Sequence, residues 1–174
     1  MAEYLGPLEL VGDRWIIGDP KREDGMCLVL TAEGMEHHRN GAADPLEVVP
    51  WSRFMELRLQ ATPRAWMATR PAGVLAFAAQ SSAVPMGRSA SSVHALVRHP
   101  YDDWFAHYGH HRHAYTDAHV HVVQLLIRTV SEAGLLPRLG DPEWLGAVVA
   151  KAAPLNIRPS TKRRVKELVE GMSG

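Results

Sequence analysis

Short apolar segments separated by turn residues occupy the first hundred residues of the chain. Met26–Leu30 is uniformly apolar, and residues 31–34 (Thr-Ala-Glu-Gly) form a turn in which glycine accepts a left-handed backbone at little cost. Residues 35–39 can pair back on this strand, and Asn40-Gly41 after them is typical of a tight hairpin turn. The pattern predicts antiparallel strands.

Residues 54–60 give the clearest alternation of apolar and polar side chains. Met55, Leu57 and Leu59 are predicted to face one way and the polar residues between them the other, which is typical of a half-buried strand. Further strands are predicted at residues 46–48, 66–69, 74–79 and 93–97. The serine-rich residues 81–92 are predicted to form a loop.

Beyond residue 99 the apolar period lengthens to that of a helix. Four helices are predicted: from Pro100 to about Gly109, from Thr116 or Asp117 to about Ala133, from Asp141 to before Pro154, and from Thr161 to Glu170 after a Ser160 cap. The longest carries an apolar stripe at helical spacing and ends before Gly134. The stripe consists of Val120, Val123, Ile127 and Val130.

These elements predict an α+β fold. We expect a small antiparallel β barrel or bent sheet, followed by three to four C-terminal helices. The β part is expected to span residues 1–99, and residues 100–174 are expected to form a helical part packed on it in one compact domain.

Residues 26–60 present four features in a particular order. They are Leu28-Val29-Leu30-Thr31, the Glu33-Gly34 turn, a second strand, and Val49-Pro50-Trp51-Ser52 before another strand. This order resembles the opening of a bacterial pleckstrin-homology-like (PH-like) domain, in which a pair such as Pro50-Trp51 commonly follows the third strand. The resemblance implies a barrel closed by one helix, and it carries over no functional residue because the family shares a shape rather than a reaction.

Composition narrows the classes of function. Nineteen basic residues balance nineteen acidic ones, so no net charge attracts the chain to nucleic acid or to a membrane surface. The single cysteine, Cys27, excludes an internal disulfide and is predicted to be a buried strand residue. No apolar run approaches the span of a bilayer, and the first residues lack the order of a signal peptide. We therefore expect a cytoplasmic protein, without membrane insertion or specific nucleic-acid binding.

Six of the ten histidines lie in one window of fifteen residues. They are His107, His110, His111, His113, His119 and His121. One interpretation is a metal site, because His107 and His111 share a face if this segment is helical and three or four imidazoles can hold zinc. The H-E-x-x-H pattern is absent and there is no second cysteine, so clustered surface histidines are the competing interpretation.

The same window also predicts a dependence of stability on pH. Six imidazoles and Arg112 outnumber the nearby Asp102, Asp103 and Asp117, so mutual repulsion is expected to lower the histidine pKa values in the folded chain. The unfolded chain then binds more protons, and the free energy of unfolding is expected to rise with pH through the histidine range.

A basic cluster surrounds the start of the last predicted helix. It consists of Arg158, Lys162, Arg163, Arg164 and Lys166. Cations in a first helical turn oppose the helix dipole, so we interpret the cluster as a contact for an anion or an acidic partner, or else as a solvated helix face.

No catalytic signature accompanies these features. The G-x-S-x-G pattern is absent, and residues 86–90 (Met-Gly-Arg-Ser-Ala) approach it without matching it. The sequence therefore favours a non-enzymatic cytoplasmic interaction module that binds a protein partner or forms a homodimer through its helical part. The alternative is a metal-binding protein or metal-dependent enzyme that uses zinc at the six histidines.

Overall fold

A computed structural model describes residues 3–64 and 91–173 of the chain, and these residues form an α+β fold. Nine strands form two antiparallel sheets, and three α-helices follow them. Neither sheet closes into a barrel within this part of the chain. The strands predicted at residues 66–69 and 74–79, and nearly all of the serine-rich loop, lie outside the described residues.

The first sheet is a meander in which each strand pairs with the next. Its strands are β1 (Tyr4–Leu5), β2 (Leu8–Val11), β3 (Arg14–Ile17), β4 (Met26–Leu30), β5 (Gly34–Arg39) and β6 (Glu47–Pro50). The predicted hairpin of β4 and β5 is confirmed. Trp15, Leu30, Met35 and Val49 lie opposite one another across four strands and are all buried, so this row belongs to the inner face.

The second sheet has three strands, and one of them lies where a helix was predicted. Its strands are β7 (Phe54–Gln60), β8 (Ser92–Val97) and β9 (Asp102–His107). The helix predicted from Pro100 to Gly109 is therefore wrong. Trp104 and Ala106 lie opposite Ala95 and Val93 and alternate with more exposed residues. In a strand, residues two apart face the same side, so both side chains are buried; in a helix they would point in nearly opposite directions.

The predicted side-chain directions in β7 are right except at one residue. Leu57 and Leu59 are buried as expected, but Met55 is exposed and Phe54 is buried in its place. The pairing with β8 shifts register between Phe54 and Glu56, which is a bulge that takes Met55 out of the alternation.

Three helices complete the chain close to their predicted bounds. They are α1 (Asp117–Glu132), α2 (Pro142–Ala152) and α3 (Thr161–Gly171). Thr116 caps α1 by accepting from the His119 N–H, and Asp141 caps α2 by accepting from two N–H groups. Ser160 precedes α3 as predicted but makes no capping hydrogen bond with its side chain. No helix among the described residues is long and apolar enough to cross a bilayer.

One core joins the inner faces of both sheets to the helices. Val123, Ile127 and Val130 of the predicted stripe of α1 lie within this core. Val120, the first residue of the stripe, is buried at its edge. Two short 3₁₀ segments, Trp51–Arg53 and Leu136–Gly140, meet at a close contact. The Trp51 indole N–H donates to the Thr31 carbonyl at 2.8 Å, and the backbone of Gly140 lies against both groups.

Gly140 should tolerate no side chain. A methyl group there would lie 2.0 Å from the Thr31 carbonyl oxygen, so Gly140→Ala should lower the free energy of unfolding by about 1–3 kcal/mol. Gly146→Ala is the matched control, because its methyl group would meet Trp15 at 3.8 Å inside α2 and should stabilise by about 0.5–1 kcal/mol. Urea unfolding measures the free energy of unfolding of both variants. Equal values for Gly140→Ala and Gly146→Ala would contradict the close contact between Gly140 and Thr31.

Candidate functional site

The structure brings together three of the six clustered histidines. His110, His111 and His113 lie between β9 and α1 and surround the Tyr115 ring, with ring centroids 4.3, 5.6 and 5.7 Å from it. The other three are separated from this group. His107 is the last residue of β9, and His119 and His121 lie in the first turns of α1, where His119 contacts the Tyr4 ring.

A chain of hydrogen bonds joins Glu9, His111 and Tyr115, which we call the Glu9 relay. The Glu9 carboxylate on β2 accepts from His111 Nε2 at 2.9 Å. This leaves Nδ1 of the neutral ring to accept from the Tyr115 hydroxyl at 2.6 Å. The same hydroxyl oxygen accepts from the His111 backbone N–H at 3.1 Å, so all three groups are mutually satisfied.

Neighbouring contacts hold the segment around the relay in place. Each ring nitrogen of His110 faces a backbone carbonyl oxygen, that of His111 at 2.6 Å and that of Thr62 at 2.9 Å. Arg22 donates to the His110 carbonyl at 3.1 Å, and the Tyr115 N–H donates to the Pro63 carbonyl at 2.7 Å. These bonds fasten the link between β9 and α1 to residues 62–63 and to the loop after β3.

Burial sets the acid–base character of the relay. It lowers the pKa of His111 below its ordinary value, and the hydrogen bond to Glu9 opposes this shift without reversing it. The charge on His113 is the smallest contribution, so the expected repulsion among histidines is not the main cause. Burial also raises the pKa of the Tyr115 hydroxyl well above its ordinary range, which keeps the phenol neutral. A neutral, enclosed phenol is suited to hydrogen bonding rather than to nucleophilic attack.

The residues predicted as metal ligands do not converge as a set. Within residues 3–64 and 91–173, no three His, Cys, Asp or Glu side chains lie together as the ligands of one ion. His111 already uses both ring nitrogens in the Glu9 relay. Zinc binding by the six histidines stays a prediction.

The basic cluster surrounds the first turns of α3 and is exposed. Arg163 and Lys166 pair with Glu167 and Glu170, one helical turn further on. Arg158 and Arg164 line an open depression of about 230 Å³ beside the start of the helix. The hydroxyl of Thr161 in this depression donates to the Asn156 carbonyl and accepts from the Arg158 backbone N–H. The contact of the basic cluster with an anion or an acidic partner stays a prediction.

The outer side of the second sheet carries a second group of polar residues. Glu56, Leu96 and Asp103 lie opposite one another in one row, and Arg58, His94 and Phe105 lie opposite one another in the next row along the strands. We call these six residues the charged sheet face. His94 Nε2 lies 3.2 Å from an Asp103 carboxylate oxygen, and Arg58 Nε donates to Glu56 at 2.5 Å. Five of the six line a shallow depression of about 220 Å³.

Exposed apolar side chains accompany the charged sheet face. Leu96 in its first row is 38% exposed, and Met55 at the neighbouring bulge is 47% exposed. Tyr101, in the turn between β8 and β9, is 71% exposed. Their proximity makes this side of the sheet a candidate contact surface.

Sequence reasoning missed most of the residues that the structure brings together. Glu9 is 102 residues from His111 along the chain, and no local pattern links the two. His94 and Asp103 meet only because β8 and β9 are paired, whereas Asp103 was expected in a helix. The alternation in β7 did place Glu56 and Arg58 on one side, which was the available indication of this face.

Comparison with protein-family models, curated proteins and solved structures finds no match to this chain.

Removal of the Tyr115 hydroxyl should destabilise the chain. Tyr115→Phe leaves the buried His111 N–H and Nδ1 without their partner, so the free energy of unfolding should fall by about 1–3 kcal/mol. Tyr101→Phe is the matched control, because it removes an exposed hydroxyl and should change little. Denaturant unfolding measures both variants, and equal stabilities would show that the relay contributes nothing.

Stability should increase with pH through the histidine range. Because the folded pKa of His111 lies below the ordinary value of 6.5, the unfolded chain binds more protons there, and the free energy of unfolding falls as pH drops below about that value. Burial lowers the pKa of His37 as well, which contributes in the same direction. Thermal melts at pH 5.5 and pH 7.5, roughly one unit either side of the ordinary value, should therefore show the higher midpoint at the higher pH.

Removal of His111 should reduce this dependence. His111→Gln keeps a hydrogen-bonding side chain that does not titrate, so the two midpoints should move closer together. His121→Gln is the control, because it removes an imidazole of α1 that lies outside the Glu9 relay. Equal reductions in both variants would contradict the assignment to His111.

Proposed function

We propose that this protein is a non-enzymatic interaction module and that its contact surface is the charged sheet face. The main support is the exposure of Leu96 and Met55 beside acidic and basic side chains on one three-stranded sheet. Contact surfaces between proteins commonly combine a small apolar centre with a polar surround. The proposal includes a cytoplasmic location and the PH-like identity, which rests on the sequence resemblance of residues 26–60.

The sheet is a better candidate for this surface than the helices. The apolar stripes of α1 and α3 lie in or against the core, with Val123, Ile127, Val165 and Val169 at most 1% exposed. They are therefore occupied by contacts within the chain itself. The helices present charged residues to solvent, and several of these are paired along the helix.

The Glu9 relay supports the same class of function. His111 and Tyr115 are buried, and neither of the two depressions described above borders them. A substrate would need access to such a group, so the relay is better explained as a clamp that orders the segment before α1.

Protection of Met55 from oxidation tests the proposed surface. In a concentrated extract of the source cells, the thioether should react with hydrogen peroxide more slowly than in buffer, because a bound partner covers it. Met172, which is partly buried at the end of α3, is the reference within the chain, and mass spectrometry of the peptides measures both rates.

Two variants decide whether this protection arises at the charged sheet face. Leu96→Glu should abolish it, because a carboxylate replaces the apolar centre of the surface. Ile157→Glu, which changes a more exposed apolar residue before α3, should retain it. Equal Met55 reactivity in extract and in buffer would contradict the proposal, as would protection that survives Leu96→Glu.

A further inference from the structure

The two rows of the charged sheet face differ in charge. The first row has acidic side chains at both ends, Glu56 and Asp103, with Leu96 between them. The second row has the basic Arg58, then His94 and Phe105. The two rows lie two residues apart along each strand, so on β7 an acidic and a basic side chain stand about 7 Å apart on one surface.

On β7 this charge arrangement is complementary to itself. A two-fold axis parallel to the rows and midway between them places two copies of the sheet face to face, with the acidic row of each over the second row of the other. Each strand then lies over its own copy in the opposite direction, and Glu56 meets Arg58 of the second copy twice. On the central strand of the overlap, Leu96 lies over His94 of the second copy.

We infer that the partner of the charged sheet face is a second copy of this chain, held by Glu56 of each copy against Arg58 of the other. This inference rests on the proposed contact surface and names its occupant. Glu56 and Arg58 pair within one chain when it is alone, with side chains that are 48% and 63% exposed. An exposed pair of this kind contributes little, so an exchange of partners costs little.

The size of the face predicts a weak and reversible dimer. Three strands of about six residues cover about 14 Å by 20 Å, or about 300 Å² for each copy. Stable complexes commonly bury about 800 Å² on each partner. The area buried between two copies of the charged sheet face is smaller than in such complexes. The fraction of dimer should therefore depend strongly on protein concentration and fall with added salt.

Charge reversal tests the pairing directly. Arg58→Glu and Glu56→Arg should each weaken dimerisation about tenfold, because both symmetric contacts become repulsive. A mixture of the two variants should dimerise like the unchanged chain, because attraction is restored between unlike copies. The double variant with both changes in one chain should also dimerise. Sedimentation velocity over about a hundredfold range of concentration measures every case.

Arg138→Glu is the matched control for these variants. Arg138 pairs with Asp141 in a surface ion pair at the second 3₁₀ segment, with side chains that are 45% and 40% exposed. Its reversal should leave dimerisation unchanged. A loss equal to that of Arg58→Glu, or a failure of the mixture to recover, would overturn the inference.

The two proposals have separate failures. If the purified chain stays monomeric at every concentration while Met55 is protected in extract, self-association is wrong and the contact surface stands with another partner. If Met55 is protected neither in extract nor in concentrated purified protein, both proposals are wrong. Protection of Met55 that rises with the concentration of the purified chain, and disappears in Arg58→Glu, supports both.

Discussion

Burial of one side of α1 is the constraint on which the rest of the fold depends. Val122, Val123, Leu126, Ile127 and Val130 are at most 1% exposed, and the helix packs against β7, β1 and α3. Its length is fixed by local chemistry, since Thr116 caps its start and Gly134 adopts the left-handed backbone after its end. Sixteen residues then span about 24 Å, and the Leu57 N–H donates to the Ser131 hydroxyl at 2.9 Å. Both sheets are thus positioned against a helix whose ends are defined by its own sequence.

Buried tryptophans add direction to this apolar packing, because each donates its indole N–H to a distant part of the chain. Trp15 donates to Pro142, Trp51 to Thr31, Trp104 to Glu47 and Trp144 to Met172. Dispersion and burial do not specify orientation by themselves, whereas a buried N–H has few acceptable partners. These four bonds link β3 to α2, the first 3₁₀ segment to the turn after β4, β9 to β6, and α2 to the residue after α3. The apolar core and its polar contacts therefore select the same arrangement.

The elements that sequence predicted well are those whose patterns are local. The start of α1 at Thr116 or Asp117, the start of α2 at Asp141 and the alternation in β7 are patterns of a few residues. Both helix starts are confirmed, and the alternation holds except at Met55. Residues 102–107 were predicted wrongly because Pro100 and two aspartates imitate a helix start, while pairing with β8 decides the outcome. The contacts of the candidate sites were beyond sequence for the same reason. Glu9 and His111, or His94 and Asp103, meet only through the pairing and packing of strands.

The Glu9 relay and the charged sheet face differ in burial, and this difference decides whether their side chains can reach a partner. In the Glu9 relay, every donor and acceptor of His111 is satisfied inside the chain, so a further ligand would have to break bonds that the fold needs. On the charged sheet face, Glu56 and Arg58 satisfy each other only at the surface, where water and a partner can replace the contact at little cost. The side chains that a partner could reach therefore lie at the exposed rows, beside the apolar Leu96 and Met55. The dense histidine window is the most conspicuous feature of the sequence, and its buried members bond within the segment before α1. The less conspicuous alternation of β7 places Glu56 and Arg58 on the surface that we propose for contact.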